Sequence, residues 1–199
     1  MEHYLIFLKC LILSLIFSAP FWKAKEHVYE RVKKGEIIVS AKLSKKDEQK
    51  YLKLISAGHI EAPLDYTWQQ ILKFEDYHKM SSHFQNIQHD KANKDLYLEM
   101  GAMGYYAKLW IAYELKKSPE KNTLAWQVVR GGFKGLSGEL HLEAYDRKTS
   151  EISIHGDMHA KVIPIPTALI KLGLEFVGKL MAKNMRKYIE NSYQTADIY

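Results

Sequence analysis

A single cysteine in 199 residues, Cys10, leaves no partner for an internal disulfide and excludes any cysteine-based metal site. Lying inside the first apolar segment, it also says nothing about redox compartment. Long hydrophobic runs are scarce as well. The greasiest stretch, Leu11 to Phe17, is too short to span a bilayer by itself. There is no internal repeat and no low-complexity tract. A phosphate loop is absent: Gly131-Gly132-Phe133-Lys134-Gly135 follows one strand pattern and leads into another, not into a helix. Ser14, Ser18, Ser81 and Ser82 occupy no nucleophile elbow. The formal charge of +6 is not concentrated beyond Lys33-Lys34, Lys45-Lys46 and the lysines near the C-terminus, so it reads as a solvated surface. Nucleic acid is not an expected partner.

What is present begins with an apolar N-terminus. Leu5 to Trp22 is nearly all apolar, broken only by Lys9, Cys10, Ser14 and Ser18. Its length and position fit a secretory signal or an uncleaved anchor, against a core helix of the fold. Pro20 after Ala19, and Trp22 two residues before Ala24, argue against clean cleavage; Lys9 before Cys10 argues against a lipoprotein. The expectation is an exported protein, periplasmic or anchored facing the envelope, with membrane association through residues 1–24.

Residues 25–50 read as a charged helix or linker ended by Gly35, then an edge strand over 36–43 and a charged turn over 44–50. Residues 51–192 read as one ligand-binding domain. It opens on an extended run over 51–61, and Ala62-Pro63-Leu64-Asp65 then starts a helix capped by Asp65. That helix buries Trp68, Ile71, Leu72 and Phe74, and a second short helix covers 77–83. From Phe84 the period changes to two, with strands over 86–91, 95–101, 105–116, 123–130, 138–145 and 151–159. Short loops between them imply an antiparallel meander.

Alternation places Leu140 and Leu142, Ile152, Ile154 and Met158, and Leu109, Ile111 and Tyr113 on the buried face. A last helix, from Pro166 to about Tyr188, carries Ile170, Leu174, Val177, Met181, Met185 and Tyr188 at helical spacing, widened by Leu169, Gly173, Phe176 and Leu180. An antiparallel sheet with one helix to cover it must curve around that helix, and such a curve leaves a hollow.

Three stretches carry a likeness to known proteins. They are Gly58 to Trp68 continuing through Phe74-Glu75-Asp76-Tyr77, then Trp126 to Gly131 followed by Gly138, and Ile163-Pro164-Ile165-Pro166 before the last helix. In this layout the chain resembles the START and Bet v 1-like (SRPBCC, helix-grip) superfamily, and within it the coenzyme Q-binding and polyketide-cyclase-like branch. Met80-Ser81-Ser82-His83-Phe84 departs from the proline usual at that corner. The resemblance implies an α+β helix-grip fold: a curved antiparallel sheet of six to seven strands on a long C-terminal helix, with two short helices after the first core strand. It also implies an apolar ligand (lipid, quinone, isoprenoid or polyketide) between helix and sheet.

The candidate ligand-binding residues are Tyr77, Met80, Phe84, Met100, Met103, Tyr105, Leu109, Trp126, Met158, Leu174, Val177 and Met181. Methionine and aromatic side chains suit an adaptable oily cavity, and equally suit plain core packing. Gly101, Gly104, Gly173 and Gly178 would leave room near it, the loop 131–135 would act as a mobile flap at its mouth, and Arg130 or Lys108 would anchor a head group if inward. His155-x-Asp157-x-His159, with His141 across from it, could ligate a metal or make an acid–base pair. Its face opposes Ile152, Ile154 and Met158, however, so it reads as solvent-facing. No catalytic residue, metal or cofactor is assigned. A carrier or sequestering module is the expectation. The alternatives are a cyclase or dehydratase working in the same cavity and an envelope protein-interaction domain. Ligand identity and oligomeric state are not legible.

Overall fold

Helical periodicity over Glu26–Lys33 forms α1, whose Val32 is fully buried, and Gly35 ends it with a positive φ of 82° that suits glycine. The computed structural model describes residues 23, 25–102, 104–118, 121–161 and 167–196. After α1 come β1 (Ile38–Lys46), β2 (Gln49–Ile60), α2 (Leu64–Ile71), a 3₁₀ turn (Phe74–Asp76) and α3 (Tyr77–Met80). Six further strands follow: β3 (Phe84–Asp90), β4 (Asp95–Ala102), β5 (Tyr105–Lys117), β6 (Lys121–Gly131), β7 (Ser137–Ala144) and β8 (Ser150–Ala160). The 30-residue helix α4 (Thr167–Ala196) ends the described chain.

All eight strands form one antiparallel sheet, ordered β1-β2-β8-β7-β6-β5-β4-β3. The count exceeds the expected six to seven because β1 pairs with β2 along its whole length, from Ile38 opposite Ala57 to Lys46 opposite Gln49. The 44–50 turn shrinks to Asp47 and Glu48, with Asp47 at φ 55°. Asp65 does not cap α2. Pro63 takes that position without a side-chain cap bond, and the helix starts at Leu64. That leaves Asp65 in the first turn, where a negative charge suits the helix dipole. The second helix stops at Met80, three residues short of expectation, and the last helix runs on to Ala196.

The sheet bends where its ladder is interrupted. A register shift between Trp110 and Ile111 sets Gly131 opposite Leu109, and Gly131 adopts φ 94°. On β7 and β8, Gly138 and Gly156 are direct partners, and the indole of Trp126 covers both. A Cβ on Gly138 would stand 2.0 Å from the His155 carbonyl oxygen and 2.8 Å from Trp126 Cζ2. The slot therefore admits only glycine. Across the concave face, Ile60, Trp68, Ile71, Phe74, Leu96, Leu98, Tyr113, Leu124, Leu140, Leu142, Ile152 and Ile189 form the larger core, under α2 and the C-terminal part of α4. A second, smaller cluster joins Leu52, Val128, Leu136 and Met158, with Leu174 of α4 against it.

Helix α4 rests chiefly on the free side of β1. Glu175 Oε1 accepts the Ala41 N–H at 2.9 Å, satisfying an outward amide of this edge strand. Gly178 lets the two backbones approach, since a Cβ there would meet Val39 Cγ1 at 3.1 Å. It marks close packing, not room beside a cavity. Gly178→Leu is expected to destabilise the fold by about 1–3 kcal/mol by pushing α4 off β1. Urea unfolding followed by circular dichroism, with wild type alongside, checks this.

Candidate functional site

Period two along each strand sorts the side chains onto two faces. The concave one gathers Leu109, Ile111, Trp126, Ile154, Met100 and Phe84, all half-buried and all packed against one or both clusters. Leu109, Ile111 and Trp126 touch both, so they line the ground between them. From above, Leu174, Val177 and Met181 of α4 are half-buried as well. A fully packed core would seal a row of aliphatic and aromatic groups at the centre of a sheet.

Nearer the C-terminal half of α4 the packing tightens. There a cavity of about 30 Å³, lined by Ile60, Ile152, Ile154, Ala182, Met185 and others, has room for one water. At the other end an open groove of about 840 Å³ runs past Ala41, Leu43, Leu52 and Glu175.

The expected ligand residues divide. Phe84, Met100, Leu109, Trp126, Met158 and Leu174 are brought together by the two clusters, and Val177 and Met181 belong to the helix above them. Met80 is buried, 6% exposed. Tyr77 serves the scaffold: its hydroxyl donates to the Ile71 carbonyl at 2.8 Å, and burial pushes the phenol's pKa above its ordinary value. Met103 lies outside the described residues, as do residues 1–22 and the Ile163–Pro166 run; the backbone of Tyr105 is in β5.

Arg130 and Lys108 do not point inward. The Arg130 guanidinium stacks 3.8 Å over Trp110 on the outer face, and Lys108 pairs with Glu99 at 3.6 Å. Nor is the 131–135 loop a free flap. Gly132 N–H donates to Lys108, Gly135 N–H to Val128, and Leu136 N–H to Phe133, while Phe133 packs into the smaller cluster. Its glycines serve a bonded reverse turn.

The outer face is less wet than alternation implied. Glu151 and Ser153 are buried, 4% and 8% exposed. Glu151 is held by Lys23 at 2.5 Å and His59 at 3.3 Å, with Tyr145 stacked on His59 at 4.4 Å. Burial alone would lower the pKa of Lys23; hydrogen bonds and charge from Glu151 and Glu143 outweigh it and raise the value. Helix α1 covers Ala57 beside them.

Farther along, His155 and His159 part company. His159 packs at a tilt on Tyr51, ring centroids 4.6 Å apart, and His155 stacks on His141 at 5.9 Å with Glu139 directly opposite. Burial, then the charge of Lys121, holds the His141 imidazole below its ordinary pKa.

One inward polar chain had no signal in spacing. Glu75 Oε1 lies 3.2 Å from His89 Nδ1, and His89 Nε2 lies 2.6 Å from the Tyr113 hydroxyl. Phe74 packs edge-on against both rings and Tyr113 is 7% exposed, so this chain pins the 3₁₀ turn to the sheet instead of facing a substrate.

Comparison with solved structures agrees on the architecture. A START superfamily protein from Mycobacterium smegmatis matches with TM-score 0.54 and 13% identity, over 70% of this chain and 97% of its own. A STAR-related lipid transfer protein from Xanthomonas axonopodis matches with TM-score 0.57 and 12% identity, over 75% and 98%. The Zhui aromatase/cyclase from Streptomyces matches with TM-score 0.56 and 11% identity, over 72% and 94%. This chain has the START and Bet v 1-like helix-grip fold. The identities establish the helix-grip architecture and no activity.

No family model matches the chain. A 52-residue stretch is 38% identical to part of a DNA ligase from Flavobacterium johnsoniae, but it spans 26% of this chain and 8% of the ligase. What the helix-grip fold brings here is a concave apolar floor under a long helix.

Proposed function

We propose that the protein binds a lipid-like small molecule between α4 and the concave sheet, and carries or sequesters it at the cell envelope. The observation that carries this reading is the half-buried row Leu109, Ile111, Trp126 and Ile154 on the concave face, with Leu174 of α4 packed on the same cluster as Leu109, Ile111 and Trp126. Apolar side chains left half-buried on a concave floor favour an apolar guest. Burying ~300 Å² of ligand surface offers ~7 kcal/mol at ~25 cal/mol/Å². Association removes much of that, leaving roughly micromolar affinity without a charged contact. The apolar stretch Leu5 to Trp22 supports placement at the envelope. Among the described residues no helix is long and apolar enough to cross a membrane.

A cyclase or dehydratase would need acid–base groups opening into the same space. His141 and His155 stand on the outer face, and in the Glu75, His89 and Tyr113 chain the carboxylate is exposed while Phe74 packs on both rings, which favours a binding module. The test is native mass spectrometry and solvent extraction of protein purified without detergent. Co-purifying lipid, quinone or isoprenoid, displaced one-for-one by a fluorescent fatty acid, is the expected result. An empty protein that also binds none of these probes would sink the proposal.

A further inference from the structure

On the outer face, away from the apolar floor, β7 and β8 add Glu139, which sequence spacing did not group, to His141 and His155. Glu139 is the register partner of His155, and His141 sits two residues farther along β7 on the same face. One donor atom from each lies within 4.8 Å of the other two. His141 Nε2 stands 3.1 Å from Glu139 Oε2, so a nitrogen and a carboxylate oxygen already converge.

The far side of the ring is occupied too: Thr123 Oγ1 lies 3.1 Å from His141 Nδ1. With Nδ1–H donating to that hydroxyl, the lone pair sits on Nε2 and points toward Glu139. Metal-bound histidines are commonly oriented by such an outer partner.

We propose that Glu139, His141 and His155 hold a divalent transition-metal ion, zinc foremost, independently of any ligand under α4. Two imidazoles and one carboxylate are the donor set that suits zinc, and three protein ligands leave a coordination position open to solvent. Zinc–ligand bonds of about 2.0–2.1 Å need donors about 3.4 Å apart in a tetrahedral site. The present spacing, up to 4.8 Å, has to close by about 1.4 Å, a movement on the scale of side-chain rotation for three half-buried residues on adjacent strands. Magnesium and calcium are disfavoured by the two nitrogens. Asp157 and His159, which sequence spacing grouped with His155, are left out: Asp157 lines the same outer groove but is not among the converging donors, and the His159 ring packs at a tilt on Tyr51.

The test uses tag-free, EDTA-stripped protein titrated with Zn²⁺ by calorimetry, and with Co²⁺ by visible absorption. One equivalent is expected to bind, with the intense d–d band of low-coordinate Co²⁺. His141→Ala and His155→Ala should each weaken binding at least about tenfold, and Glu139→Gln somewhat less. His159→Ala, on the same face, should leave it unchanged. Circular dichroism and thermal unfolding verify that each variant is folded. If the histidine variants unfold, Glu139→Gln and the Co²⁺ spectrum of the wild type still decide. No stoichiometric binding at about 100 µM Zn²⁺, or binding that survives His141→Ala combined with His155→Ala, would overturn the site.

Discussion

Gly138→Val is expected to remove the native state. Two obstacles act at once: the new Cβ would lie 2.0 Å from the His155 carbonyl oxygen and 2.8 Å from the Trp126 indole. Neither a backbone carbonyl inside a paired ladder nor an indole bridging both apolar clusters can step aside cheaply. The cost should be about 3 kcal/mol or more, a large share of what a domain this size has to spare. Gly104→Ala is the contrasting change. Gly104 has φ 80° but no atom within 4 Å of a would-be Cβ, so only backbone strain of about 1 kcal/mol is expected. Guanidinium unfolding of both variants separates steric exclusion from conformational preference. Equal, small losses would show that Trp126 and the sheet yield more easily than their packing indicates.

The second large effect is expected at Leu109. It lies between the clusters, half-buried and facing the long helix, so Leu109→Trp should project an indole into the space offered to a ligand. Affinity for a fluorescent fatty acid or quinone analogue should fall at least about tenfold, since transfer of guest surface supplies most of the binding energy. Stability should hold or rise, because the ring fills a void. If that space were solid core, the same substitution would overpack it, costing about 1–3 kcal/mol. Probe titration and thermal unfolding of one preparation therefore decide between a receptive hollow and ordinary packing.

Local signals carried much of the architecture. Turn residues and period two located every strand, and the amphipathic stripe announced α4. Errors came where a neighbour far along the chain decides. Asp65 is the local exception, a cap candidate displaced by Pro63 two residues earlier. Glu151 and Ser153 alternate with Ile152 and read as wet, yet Lys23, His59 and Tyr145 close over that face. Arg130 offered a plausible anchor from spacing alone, and the partner that fixes its direction is Trp110 on the adjacent strand. Grouping Glu139 with His155 required the β7–β8 register, which no single strand encodes. The Glu75–His89–Tyr113 chain likewise joins a turn, β3 and β5.

The bond from Glu175 to Ala41 ties the covering helix to the margin of the sheet, so lifting that helix, as the proposed guest exchange would require, cannot be a purely local event. Any excursion wide enough to release a guest would bare a peptide amide hungry for a partner, inviting a second molecule to dock there. Lys42 and Lys45 along that margin would then act as mutual repellents, letting the molecule open without polymerising.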